Sequence, residues 1–133
     1  MILVDTSVWI DFLRGHETDA VTSLDAIMTQ GYVFGLTGVI YQELLQGADS
    51  QANYERLVEY FSSQRFYHPR DNTVSYARAA ALYRRCREAG VTIRSTIDCL
   101  IAQVAIEHDL LLLHSDRDYL AMSSVIEELR LYE

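Results

Sequence analysis

Short, almost wholly apolar runs alternate with longer stretches of helical periodicity along this chain, and that alternation is the pattern of a parallel α/β sheet. Residues 2–5 read as a buried strand. Residues 7–14 read as a helix stopped by Gly15, and residues 18–29 as a second helix ended by Gly31. Tyr32 to Leu36 is a second strand. A helix then runs from Gly38 to Gln46, with Thr37 as its N-cap and Gly47 as its stop. Residues 50–63 form another, with Tyr54, Leu57, Val58 and Phe61 at helical spacing. Arg65 to His68 is a short strand closed by Pro69, and residues 72–89 make a long helix ended by Gly90. Residues 96–108 make the most apolar helix, Leu110 to His114 a buried strand, and Leu129 to Tyr132 an edge strand. No repeat, linker or change of composition interrupts the order. The expectation is one domain over residues 1–133, an α/β/α sandwich around a central, mainly parallel sheet of four to five strands.

A chain of this length, half of it hydrophobic, can bury a real core. No stretch approaches the ~18 apolar residues needed to span a bilayer. The opening Met1-Ile2-Leu3-Val4-Asp5 lacks the charged leader and cleavage site of a signal peptide. Cys86 and Cys99 have no metal-ligand spacing and fall in apolar helical stretches, so buried free thiols in a reducing cytoplasm are expected. The net charge of −8 argues at first against a nucleic-acid partner, because affinity for phosphate comes mainly from Lys and Arg. A cluster of four carboxylates offset by bound cations would account for half of that excess. All eleven basic residues, moreover, are arginine, whose fork grips phosphate in two places.

Four acids stand where such a fold could bring them together. Asp5 ends the first apolar run, at the carboxyl edge of the sheet where open α/β folds bind ligands. It would also cap the helix that starts near Thr6, and Ser7 offers a hydroxyl beside it. Glu43 shares a helical stripe with Val39 and Ile40, and a Glu so placed is seldom buried unless it is paired or ligating. Asp98 falls in the capping box Ser95-Thr96-Ile97-Asp98, but it opens an apolar helix rather than a solvated one. Arg94 is near enough to pair with it or to receive a substrate phosphate. Asp116 and Asp118 follow the last internal strand, where a turn also calls for Asp. Spacing does not decide which of the two would face a metal.

Converging carboxylates repel unless a divalent cation sits among them, which points to Mg²⁺ or Mn²⁺ and to phosphodiester hydrolysis. The four histidines form no HxH or HExxH pattern and read as structural or surface residues. The nine tyrosines read as packing and interface material. P-loop, GxGxxG and GxSxG signatures are absent. Phosphoacceptor receivers and haloacid-dehalogenase-like phosphatases also place Asp at strand ends, but they rely on a lysine and this chain has none.

Four segments carry a resemblance over nearly the whole chain. They are Ile2-Leu3-Val4-Asp5-Thr6-Ser7-Val8-Trp9-Ile10, Tyr41-Gln42-Glu43-Leu44-Leu45-Gln46-Gly47, Ser95-Thr96-Ile97-Asp98-Cys99-Leu100-Ile101-Ala102 and Ser115-Asp116-Arg117-Asp118-Tyr119. Together they resemble the PIN domain, and within it the VapC-type toxins of bacterial toxin–antitoxin pairs. The resemblance implies a PIN-like sandwich and a Mg²⁺- or Mn²⁺-dependent endoribonuclease. It implies that Asp5, Glu43, Asp98 and Asp116 form the catalytic, metal-binding pocket, with Asp118 in a supporting metal role. Thr6, Ser7 and Ser115 would support the site, and Arg94 would position phosphate. It further implies an RNA substrate, a homodimer and a small antitoxin lying along a groove, for which the helical pair 38–63 would be a wall. A non-catalytic partner-binding domain and a DNA-directed nuclease of the same fold are the alternatives.

Overall fold

The computed structural model describes residues 1–133. Its elements run β1 (Ile2–Val4), α1 (Thr6–Leu13), α2 (Asp19–Gln30), β2 (Phe34–Leu36), α3 (Gly38–Gln46), α4 (Gln51–Ser62) and β3 (Arg65–Phe66). They continue with α5 (Val74–Glu88), α6 (Thr96–Glu107), β4 (Leu111–Leu113), α7 (Arg117–Val125) and β5 (Arg130–Leu131). The five strands lie in the order β3-β2-β1-β4-β5, and every pairing is parallel, so the sheet is wholly rather than mainly so. Leu3, Val4, Leu36 and Leu112 are fully buried, as strands covered on both faces require.

The chain steps outward from β1 to β2 and β3, then returns to β4 on the other side of β1 and continues to β5. Right-handed crossovers put the helices of these two paths on opposite faces of the sheet. The packing agrees: α1 meets α2 and α3, and α3 meets α4, while α5 packs against α6 and α7. Trp9 fixes the first layer. Its fully buried ring meets Phe61 edge-on at 5.0 Å and Phe34 at 6.1 Å, which joins α1 to α4 and β2. In β2, Gly35 is required by close approach, since a Cβ there would run into the Arg65 carbonyl of β3.

Most boundaries follow local chemistry. Thr37 caps α3 by accepting from the Ile40 N–H at 3.1 Å, and Gly31 ends α2 in the left-handed conformation at φ 74°. Gly47 ends α3 without that conformation, at φ −80°. Three expectations need correction. Tyr32 and Val33 lie exposed ahead of β2, which begins at Phe34. Tyr54 faces solvent, and of the apolar positions on α4 only Phe61 is fully buried. Asp116 to Tyr119 is no mere turn, because Asp116 caps the seventh helix, α7. No helix is long and apolar enough to cross a membrane, and Cys86 and Cys99 are free and buried.

Two neighbouring strands, β1 and β4, are where the strand order reverses. In open α/β sheets the crevice beyond such a switch point is the natural ligand site. Val4 is in register with Leu113, and the Asp5 N–H donates to the Leu113 carbonyl at 2.9 Å. Asp5 therefore leaves the sheet beside the segment that leads to Asp116.

Candidate metal centre

Asp5 is buried and caps α1. Its Oδ2 accepts from the Ser7 N–H at 3.2 Å and from Ser7 Oγ at 2.7 Å. The same Oγ accepts from the Ser115 N–H at 3.2 Å, so Ser7 ties the β4–α7 connection to the start of α1. Ser115 enters the site through its backbone. Thr6 donates from Oγ1 to Glu43 Oε1 at 2.7 Å, and this hydroxyl is what links the half-buried Glu43 on α3 to the β1 end.

Asp98 lies in the first turn of α6, capped by Ser95, whose Oγ accepts from the Ile97 N–H at 3.2 Å. The carboxylate of Asp98 takes no part in the cap. Its Oδ1 faces the Tyr119 hydroxyl at 3.3 Å, and the same hydroxyl lies 3.0 Å from Asp5 Oδ1. Asp116 Oδ1 accepts from the Asp118 N–H at 2.9 Å as the cap of α7. The Asp116 N–H donates in turn to His114 Nδ1 at 3.1 Å. Burial pushes His114 below the usual imidazole range, so the ring is neutral with its proton on Nε2.

Arg94 departs from the expected pairing. Its guanidinium forks onto Asp118, with Nε to Oδ2 at 3.0 Å and an Nη to Oδ1 at 3.2 Å, rather than onto Asp98. That bidentate bond holds the Asp118 carboxyl below its usual range. Asp116 Oδ1 is 3.6 Å from the same guanidinium. One oxygen each from Asp98, Asp116 and Asp118 lie within 4.8 Å of one another. Asp5 joins this set through Tyr119, and Glu43 stands one hydroxyl further out, through Thr6.

The electrostatic consequence falls on Asp98. Burial first, then the charges of Asp5 and Asp116, push its carboxyl up to about 6. A pocket of hard oxygen donors in which burial and acidic neighbours hold Asp98 back from ionising suits a hard divalent cation, so these side chains fit Mg²⁺ or Mn²⁺. In the metal-free fold, protonating Asp98 stabilises the protein. That contribution is complete below about pH 4, the ordinary carboxyl range, and is lost as pH rises through about 6. Asp98→Asn should therefore match the unaltered chain near pH 4 and exceed it by about 1–2 kcal/mol at pH 7, allowing for the partial exposure of the group. Urea unfolding of both proteins in chelator, from pH 4 to 7, measures the difference. A gap that closes as pH rises contradicts this electrostatic picture.

One participant is not visible in the residue pattern: Tyr119 is one of nine tyrosines that read as packing, and only its place in a segment rich in acids marks it. His114 keeps its structural reading, its ring meeting Tyr119 edge-on at 5.3 Å beside the acids.

A profile of the PIN domain matches residues 2–124. A VapC ribonuclease of Mycobacterium bovis is 33% identical over 123 residues, covering 90% of this chain and 89% of the relative. Ribonuclease VapC11 of Mycobacterium tuberculosis gives the same figures. Among solved structures, the fold is similar to VapBC2 from Rickettsia felis bound to a DNA fragment from its promoter. That match has a TM-score of 0.75 and 16% identity, and it covers 99% of this chain and 98% of the other. FitAcB from Neisseria gonorrhoeae follows at a TM-score of 0.72 and 18% identity, covering 100% and 97%.

Proposed function

Because this chain belongs to the PIN-domain family, we propose that it is a metal-dependent endoribonuclease and the toxin of a toxin–antitoxin pair. The observation that carries the chemistry is the convergence of acids from β1, α6 and the start of α7 at the switch point of the sheet. The relatives named VapC ribonucleases, and the VapBC complex among the structural neighbours, support the biological role.

Asp5, Asp98 and Asp116 would hold Mg²⁺ or Mn²⁺, with Glu43 closing the pocket on the α3 side. Asp118 has both oxygens on Arg94, which leaves Asp116 the freer ligand of the two. The bound cation would activate water and stabilise charge developing on the leaving oxygen of an RNA phosphodiester. The chain's own groups do the holding. Ser7 fixes the rotamer of Asp5, and Thr6 does so for Glu43. Arg94 locks Asp118 while most of its side chain stays in solvent, so its guanidinium presents positive charge to a phosphate at the rim of an acidic pocket.

The partners proposed are an RNA substrate, a small antitoxin protein and a second copy of this chain. The α3–α4 pair does form a shallow hollow, lined by Tyr41, Leu45 and Tyr54, that would suit a bound segment. A more apolar hollow of about 520 Å³ lies between α5 and α6, lined by Tyr76, Tyr83, Ile97 and Leu100 and reaching Arg94.

Labelled transfer RNA, ribosomal RNA and single-stranded DNA, each incubated with Mn²⁺, Mg²⁺ or EDTA, test the reading. Cleavage of RNA that EDTA abolishes is the expected result. Cleavage of DNA alone would favour a DNA-directed nuclease, and cleavage of neither would leave a partner-binding domain.

A further inference from the structure

We propose that Tyr119 is a positioning residue of the metal centre: its hydroxyl, shared by Asp5 and Asp98, aims both carboxylates at a divalent cation. The inference deepens the metal-site reading and rests on it.

The hydroxyl lies 3.0 Å from Asp5 Oδ1 and 3.3 Å from Asp98 Oδ1, and the whole side chain is buried at 0% exposure. Bulk water therefore does not reach it. The two acids come from different parts of the chain, one after β1 and one on α6, while Tyr119 comes from α7. A single oxygen atom thus joins three elements at the point where the sheet order reverses.

What the contact leaves free is as informative as what it engages. Asp5 Oδ2 is already held by Ser7, so the tyrosine completes the fixing of that carboxylate. Asp98 has no other side-chain hydrogen bond within the chain, so Tyr119 is the hydrogen-bonding partner that turns its carboxylate. With Oδ1 on the hydroxyl, Oδ2 of Asp98 remains the unengaged oxygen.

Packing does not call for this hydroxyl. A phenylalanine would fill nearly the same volume and keep the edge contact with His114. A phenol carries one proton, so it can donate to only one of the two carboxylates at a time. A group added solely to satisfy a core would not face two like charges. Facing both is useful if the carboxylates must stay close and correctly turned until a cation neutralises them. Partners that orient metal-binding side chains in this way typically change metal affinity by about 10–100-fold when removed.

Calorimetric titration of the full chain with MnCl₂, without RNA, tests the proposal on the unaltered protein, Tyr119→Phe, Tyr119→Leu and Asp98→Asn. Metal-free melting curves monitor the fold. Tyr119→Phe should melt within a few degrees of the unaltered chain yet bind Mn²⁺ about 10–100-fold more weakly. Tyr119→Leu should lose stability but no more Mn²⁺ affinity than Tyr119→Phe does, because the hydroxyl and not the ring is what matters. Tyr119→Phe binding within twofold of the unaltered protein would overturn the proposal and leave the metal site standing, as would a loss confined to Tyr119→Leu. Failure of the unaltered protein to bind Mn²⁺, or undiminished binding by Asp98→Asn, would overturn the site reading and this inference with it.

Discussion

Replacing Asp98 by asparagine is expected to abolish RNA cleavage, with Asp5→Asn close behind. Both losses should exceed the roughly 10–100-fold that follows removal of a group that only orients a metal ligand. The reason is charge. Asparagine keeps the size of aspartate and one acceptor oxygen, but it cannot neutralise a divalent cation. The fold should survive either change. Asn is as good an N-cap as Asp, so Asp5→Asn can still accept from the Ser7 N–H at the start of α1. Asp98 takes no part in the α6 cap, which Ser95 supplies. Cleavage should therefore collapse while circular dichroism stays near that of the unaltered chain. Full activity in either variant would remove the metal pocket from the account.

The second large effect is on stability. A cation that binds only the folded state stabilises it by mass action, by about 2.7 kcal/mol at 100 times its Kd. For a domain of this size that corresponds to a rise in Tm of roughly 10 °C. The rise should come from Mn²⁺ or Mg²⁺ and reverse with EDTA. It should be lost in Asp98→Asn, which starts from a higher metal-free Tm at pH 7 because the carboxyl that burial and its neighbours push up to about 6 is gone. The two proteins should thus cross: the variant more stable in chelator, the unaltered chain more stable in metal. A Tm indifferent to millimolar Mn²⁺ would count against the pocket, and a variant as responsive as its parent would count against Asp98.

Much of the fold is legible because it is written locally. Gly38 to Gln46 is helical in both the periodicity and the structure, with Thr37 capping it, since cap and stop lie within a turn of the residues they govern. The apolar runs at Ile2–Val4 and Leu111–Leu113 are buried strands for the same reason. What escaped depended on distant partners or on ambiguous local chemistry. Asp is equally at home in a turn and at an N-cap, so α7 was hidden in a segment that read as a turn. Arg94 pairs with a residue 24 positions away, and nothing near it in the chain announces Asp118 over Asp98. Tyr119 reaches Asp5 across 114 positions, and no periodicity reports such a contact. The acids themselves were visible as strand-end and helix-start residues, but their coupling through Thr6, Ser7 and Tyr119 belongs to the three-dimensional arrangement.

If these acids hold a divalent cation, manganese itself should be found among them. Anomalous diffraction at the manganese edge, from crystals grown with Mn²⁺ at a concentration that supports RNA cleavage, examines it without reference to activity. The expected result is a manganese peak bonded to carboxylate oxygens of Asp98 and Asp116, with Asp5 alongside. A peak elsewhere in the molecule, or these carboxylates in clear density with no peak between them, would contradict it.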